Sequence, residues 1–266
     1  AGGMRVAVVT GANKGVGYCI AQQIVSSQLF NTVILACRDP SRGEAAARAL
    51  GAEFMPLEVG NPESTLAFIA ALKSKYGRLD ALVNNAAIAF KASDPTPFAG
   101  QTKPTLDVNY YGTIALTEAL LPLLRASNAN PRIVNVASMA GRLSQLRPDL
   151  QSRFASPTLT LAELQALVRS FEEDVSAGVH QKHGWGNSNY GFSKCALIAA
   201  TRVLARDNQH IKINACCPGY CRTDMSSNRG GQPPEVGARN AVMLVEMPAA
   251  TCPSGAFIQN CKISTW

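Results

Sequence analysis

Met4-Arg-Val-Ala-Val-Val-Thr10, followed at once by Gly11-Ala-Asn-Lys-Gly15-Val-Gly17, is the stretch on which the fold turns. Its first part is an apolar run that reads as a buried strand. The glycines make a turn, and Val16, Ile20 and Ile24 then recur at helical spacing. A strand, a glycine turn and a helix in direct succession present free backbone N–H groups and the positive end of a helix to one point, which suits a pyrophosphate. The spacing G-x-x-x-G-x-G differs from the commonest dinucleotide fingerprint, G-x-G-x-x-G. Taken alone, it leaves a plain turn as the alternative.

The same alternation continues outward. Strands are expected at residues 32–37, 53–59, 79–83, 132–137, 211–216 and 255–258. Helices are expected at 42–50, 63–76, from the segment carrying Asn109 to about 125 with a break near Pro122, through Lys194 to 207, and at 233–246. Residues 91–103, with Pro95 and Pro97, read as a loop. Strands alternating with helices imply right-handed crossovers and a parallel sheet. The expectation is therefore an α/β, doubly wound Rossmann-type sheet of about seven strands, forming one domain over residues 1–266. A ligand of such a sheet binds beyond the carboxyl ends of the strands, where Gly11, Arg38, Asn84 and Ser138 fall.

Composition narrows the function classes. A chain of 266 residues that is 47% hydrophobic and 16% charged is globular rather than disordered. Its apolar runs are far shorter than the ~20 residues needed to cross a bilayer, so no membrane partner is expected. From the apolar run Val6 to Val9 near the beginning, no charged, apolar and cleavable leader is expected. Ala1-Gly2-Gly3 before Met4 reads as an expression remnant, which the mass of the native protein tests. Eight dispersed cysteines without C-x-x-C pairs argue against a structural metal and for reduced thiols in the cytoplasm. The net charge of +7 is spread without adjacent basic residues or a stacking motif, which disfavours a nucleic-acid partner and leaves a small anionic ligand to account for it.

Two places carry chemistry. The strand at 32–37 ends in Cys37-Arg38-Asp39, where an acid would hold the ribose of NAD and an arginine the 2′-phosphate of NADP. A guanidinium matches phosphate geometry, and Lys14 adds a second cation, so NADPH is favoured; Asp39 dissents. In Tyr190-Gly-Phe-Ser-Lys194 the tyrosine and lysine lie four apart on one helix face. A phenol holds its proton to about pH 10, and a neighbouring cation favours its ionisation. Tyr190 is thus a candidate proton donor.

With these residues together, the chain resembles the short-chain dehydrogenase/reductases over essentially its whole length. The resemblance rests on the turn at 10–17, Asn84-Asn85-Ala86, Asn109, Ser138, Tyr190 with Lys194, and Pro218-Gly219 followed by Thr223. Residues 86–98, Gly178-Val-His-Gln-Lys182 and 215–225 are similar to the cytosolic, monomeric NADPH-dependent carbonyl reductases. It implies a catalytic set of Asn109, Ser138, Tyr190 and Lys194. Ser138 would hold the carbonyl oxygen, Tyr190 would protonate it, Lys194 would bind the nicotinamide ribose and lower the tyrosine pKa, and Asn109 would hold a relay water. NADPH would be held by Gly11, Asn13, Lys14, Gly15, Val16, Gly17, Arg38, Glu58, Val59, Asn84, Ala86, Pro218, Gly219, Thr223 and Asp224, together with Tyr190 and Lys194. Ala87 replaces a usual glycine, and Glu58 a usual aspartate at the adenine; both bear on cofactor affinity.

Between Ser138 and Tyr190 lie 51 residues, far more than most of the family uses. The insertion, at about 141–187, contains Thr160-x-x-Glu163 as a capping box ahead of an apolar stripe at Leu161, Leu164, Leu167, Phe171 and Val175. In similar carbonyl reductases such an insert covers the helices through which relatives associate, which implies a monomer. The expected reaction is NADPH-dependent reduction of small-molecule quinones, aldehydes and ketones to alcohols. A reductase dedicated to one pteridine or steroid and a non-catalytic NADP-binding sensor are the alternatives. Ala140, Tyr220 and residues 91–98 are expected to shape the pocket.

Overall fold

A computed structural model describes residues 4–266, so the reading of residues 1–3 lies outside the described residues. One sheet organises it, with strand order β3-β2-β1-β4-β5-β6-β7-β8. In sequence these are β1 (Val6–Thr10), β2 (Thr32–Cys37), β3 (Glu53–Pro56), β4 (Ala81–Asn84), β5 (Arg132–Val136), β6 (Lys212–Cys216), β7 (Phe257–Gln259) and β8 (Lys262–Ser264). The first seven are parallel, and β8 returns antiparallel on β7. This eighth strand adds to the expected seven. Its turn is Asn260-Cys261, both at positive φ (50° and 58°), the twist that suits a two-residue hairpin. Cysteine is not a turn-forming residue type, so the sequence gives little warning of it.

Period-two alternation makes β1 serve both faces. Val6 and Val8 belong to the same core cluster as Leu120 and Leu124 of α5 (Thr113–Arg125) on one side. Ala7 and Val9 meet Ile20 and Ile24 of α1 (Gly15–Ser27) on the other. With α2 (Pro40–Leu50) and α3 (Pro62–Tyr76), both faces are covered, and the loops at the carboxyl edge are left to make a cleft.

Two expectations change around Asn109. Residues 98–103 are not loop: α4 (Phe98–Leu106) begins directly after Pro97, whose fixed φ of −55° suits a helix entrance. Nor does the helix fail at Pro122. That residue and Glu118, whose carbonyl loses its N–H partner, both face water, and α5 runs through. The irregularity instead falls in a π turn, Asp107–Gly112, which carries Asn109. Gly112 is required there, because a Cβ would overlap the backbone of Gly60.

The insertion holds two helices rather than one, α6 (Pro148–Ala155) and α7 (Leu161–Ser176). The capping box forms as read, with Thr160 Oγ1 accepting from Glu163 N at 3.2 Å and Glu163 Oε2 accepting from Thr160 N at 2.8 Å. The apolar stripe then buries Leu164, Leu167, Phe171 and Val175. Phe171 stacks on Phe192 of α8 (Asn189–Asp207) at 3.8 Å between centroids, and Trp185 and Phe154 meet the same ring edge-on. Such pairs add about 0.5–1.5 kcal/mol each beyond burial. The insertion is thereby clamped to the helix that bears Tyr190. A last helix, α9 (Pro234–Glu246), packs beside α1.

Candidate active site

The turn after β1 and the turn after β4 interlock. Gly11 and Gly15 have φ of 63° and 58°, which only glycine adopts readily. A Cβ on Gly11 would approach Ala86 Cα to 2.9 Å, and one on Gly17 would overlap the Asn85 amide. Thr10 Oγ1 accepts the N–H groups of Asn85 and Ala86, both at 3.0 Å, while Asn85 Nδ2 donates to the carbonyls of Thr10 and Gly11. Above these turns opens a cleft of about 1150 Å³. Gly11, Asn13, Lys14, Gly15, Val16, Gly17 and Ala86 line it. No side chain caps the N-terminus of α1, so its first N–H groups remain open to an anion. A backbone cradle of this kind fits the pyrophosphate of a dinucleotide.

At the far end of the cleft, β2 delivers Arg38, and the segment after β3 delivers Leu57, Glu58 and Val59. Arg38 Nη1 lies 3.6 Å from Glu58 Oε1, and Lys14 Nζ lies 2.5 Å from Asp224 Oδ2. Asp39 is otherwise engaged. It caps α2 by accepting from Arg42 N at 3.0 Å, and its second oxygen pairs with the Arg42 guanidinium at 3.2 Å. Lys14 and Arg38 thus line the cleft beside their carboxylate partners Asp224 and Glu58, and Asp39 does not line it. Ala87 has no positive φ, so the alanine is accommodated where the family's glycine was expected.

The chemical end is built by α8 and β5. Ser188 Oγ accepts from Gly191 N at 2.9 Å and starts α8 just before Tyr190. The turn Ser138–Gly141 presses against this helix at two glycines. A Cβ on Gly141 would come within 2.8 Å of Cys195 N, and one on Gly191 within 2.8 Å of Ala140 O. Ser138 and Tyr190 are thereby brought together. Tyr190 and Lys194 line the cleft beside Val136 and Ala137. Burial pushes the Tyr190 phenol up to about 12, partly offset by the Ser138 side chain. Burial also brings the Lys194 ammonium down to about 8. Lys194 Nζ donates to Val136 O at 2.8 Å and lies 5.7 Å from the Tyr190 ring centre. Desolvation, not the lysine, therefore governs the phenol here, contrary to the expected depression.

Some expected residues act from behind the cleft. Asn84 is buried, with Nδ2 on Thr117 Oγ1 at 2.9 Å and on Asn135 Oδ1 at 2.8 Å; its side chain braces β4 against α5 and β5 and does not line the cleft. Asn109 is fully buried. Its Oδ1 accepts from Ile88 N at 2.8 Å, and Nδ2 donates to Ile88 O at 2.9 Å and Ser193 Oγ at 3.1 Å, so neither amide hydrogen is left for a relay water. Gly219 serves by conformation: φ is 76°, and a Cβ would overlap the Gln232 amide that donates to Pro218 O. Pro218, Thr223 and Asp224 do line the cleft. Cys217 Sγ accepts from Met139 N at 3.2 Å and Gly219 N at 3.3 Å, joining two cleft loops. Cys217 and Cys221 are both buried.

Of the residues expected to shape the pocket, Lys91 lines it, but Ala140 and the largely exposed Tyr220 do not. Ile88, Ala89, Val108 and Arg222 line it without having been foreseen. Ile88 and Ala89 follow a strand end and were within reach of the strand-edge rule; Val108 and Arg222 carried no such signal. Among the described residues, no group of three or more His, Cys, Asp or Glu side chains is placed to hold a metal ion, and no helix is long and apolar enough to cross a membrane.

Residues 5–147 match the family described as short chain dehydrogenase, and residues 175–246 match one described as Enoyl-(Acyl carrier protein) reductase. The chain is 42% identical over 275 residues to "Carbonyl reductase (NADPH) 1" of Mus musculus, with 98% of each covered. Salutaridine reductase from Papaver somniferum superposes with a TM-score of 0.87 at 30% identity, covering 97% of this chain and 100% of that one. Menthone neomenthol reductase from Mentha piperita gives 0.80 at 31%, covering 96% and 98%. A likeness that runs almost end to end, and not over one motif, means that the chain belongs to the short-chain dehydrogenase family.

Proposed function

We propose that this protein reduces carbonyl compounds to alcohols with NADPH, taking quinones, aldehydes and ketones. The observation that carries this is one cleft lined by Tyr190 and Lys194 as well as by Lys14 and Arg38, with the Ser138 side chain hydrogen-bonded to Tyr190 just behind the lining. The glycine turn would hold the pyrophosphate, Arg38 and Lys14 the 2′-phosphate, Lys194 the nicotinamide ribose, and Thr223 the carboxamide. When bound, NADPH supplies the hydride. Ser138 orients the carbonyl oxygen by hydrogen bonding, and the Tyr190 phenol gives that oxygen its proton. With its pKa pushed up to about 12, Tyr190 carries this proton throughout the neutral range, yet a phenol remains far more acidic than the alcohol product. Asn109 holds Ile88 and Ser193 in place around the catalytic helix.

NADPH oxidation measured across quinones, aldehydes and ketones tests the reading. Turnover on several classes is expected; tight NADPH binding without turnover on any would favour a sensor instead. A second reading, a reductase dedicated to one ketone, draws on the likeness to salutaridine reductase. Turnover confined to one member of the panel would select it.

The protein is further proposed to work as a single-domain monomer in the cytoplasm. Helices α6 and α7 lie on α8, and α7 also on α4, where another chain would otherwise dock. All eight cysteines are free thiols, which accords with a reducing compartment. Light scattering at micromolar protein is expected to give about 28 kDa, the mass of one chain; a dimer or tetramer mass would end the proposal.

A further inference from the structure

We propose that Glu58 competes with the cofactor's 2′-phosphate for Arg38, and so sets how strongly the cleft prefers a phosphorylated dinucleotide. This rests on the reading of Arg38 as the phosphate ligand. β2 and β3 are neighbours in parallel register, with Cys37 opposite Pro56, so the next residues outward come together at the cleft mouth. There Glu58 Oε1 lies 3.6 Å from Arg38 Nη1. The two partners are not equally free. Glu58 is anchored: its Oε2 accepts from Asn61 Nδ2 at 3.4 Å, and its backbone N–H bonds Ser64 Oγ at 2.8 Å. The Arg38 side chain is 77% exposed, and Glu58 is the only carboxylate within 4 Å of it among the described residues. Asp39, the nearest in sequence, is committed to Arg42, and the other cation, Lys14, is held across the mouth by Asp224.

A 2′-phosphate that engages this guanidinium must therefore either draw it away from Glu58 or share it with that carboxylate. Both raise the cost of binding the phosphate, while an unphosphorylated ribose meets neither. The pair is exposed and screened by water, so the effect is moderate.

Equilibrium titration of adenosine 2′,5′-bisphosphate and of 5′-AMP, which differ only in the 2′-phosphate, isolates this effect without turnover. Glu58→Gln keeps the size of the side chain and an acceptor for Asn61. At low ionic strength it is expected to raise the affinity ratio between the two ligands by about two- to fivefold, the scale of an exposed ion pair. Glu58→Asp, too short to reach Arg38, shifts the ratio the same way, and high salt shrinks both gains. The gain vanishes in an Arg38→Ala background. An equal change for both ligands in Glu58→Gln would mean that Glu58 serves the adenosine alone, and a gain that survives Arg38→Ala would mean direct repulsion; either overturns the proposal. An Arg38→Ala variant that retains the wild-type ratio would instead remove the underlying reading of Arg38.

Discussion

Tyr190→Phe is expected to lower turnover by about 10²-fold or more, the usual scale of acid catalysis, while NADPH affinity stays near normal. The substitution removes one hydroxyl and leaves the ring that Lys194 faces at 5.7 Å. It also leaves Ser188 capping the helix, so the backbone of the catalytic turn is undisturbed. Single-turnover NADPH oxidation with a quinone, set beside a fluorescence titration of NADPH, separates the two effects. Near-normal turnover with intact binding would remove Tyr190 from the reaction.

Lys194→Met is expected to do two opposite things: abolish most turnover and stabilise the fold near neutral pH. The ammonium is 2% exposed, and burial brings it down to about 8 from an ordinary value near 10.4. Below pH 8 both folded and unfolded chains carry the proton, and the folded state bears the full penalty of a buried charge. Between about pH 8 and 10.4 the unfolded chain holds the proton that the folded one has released, so stability rises with pH through that window. The shift corresponds to about 3 kcal/mol at neutral pH. Loss of the charge-assisted bond to Val136 O gives back about 2 kcal/mol. The net gain of roughly 1 kcal/mol should raise Tm by about 2 °C for a chain of this length. It should also flatten the rise in stability above pH 8. A variant less stable than wild type at pH 7 would show that the buried lysine is a structural asset rather than a functional liability.

The positions of the strands along the chain were legible from apolar runs alternating with helical periods, and the residues at their carboxyl ends because one rule locates the ligand of a parallel sheet. The rule finds positions but not directions. Asn84 and Asn85 are consecutive and look equivalent, yet strand parity turns one into the core toward Thr117 and Asn135 and leaves the other at the cleft. Lys194 was read correctly as a residue near Tyr190, but its bond to Val136 O depends on how β5 meets α8, and its pKa on how completely that junction excludes water. Helix α6 is eight residues long and has a Pro148 start that looks like a turn, so it carried too few periodic positions to be seen. The matched family segments, 5–147 and 175–246, also leave 148–174 between them, and that gap holds α6 and nearly all of α7.

That gap is bridged physically by aromatic rings. Phe192 lies two residues beyond Tyr190, the proposed acid, on the far side of the same helix, and is enclosed by Phe154, Phe171 and Trp185. Cover and catalytic helix consequently melt as one cooperative unit, since parting them exposes four large rings to water at once. Partial opening of this region offers no route to a loosened but working enzyme: whatever frees α7 also unseats the helix that bears Tyr190.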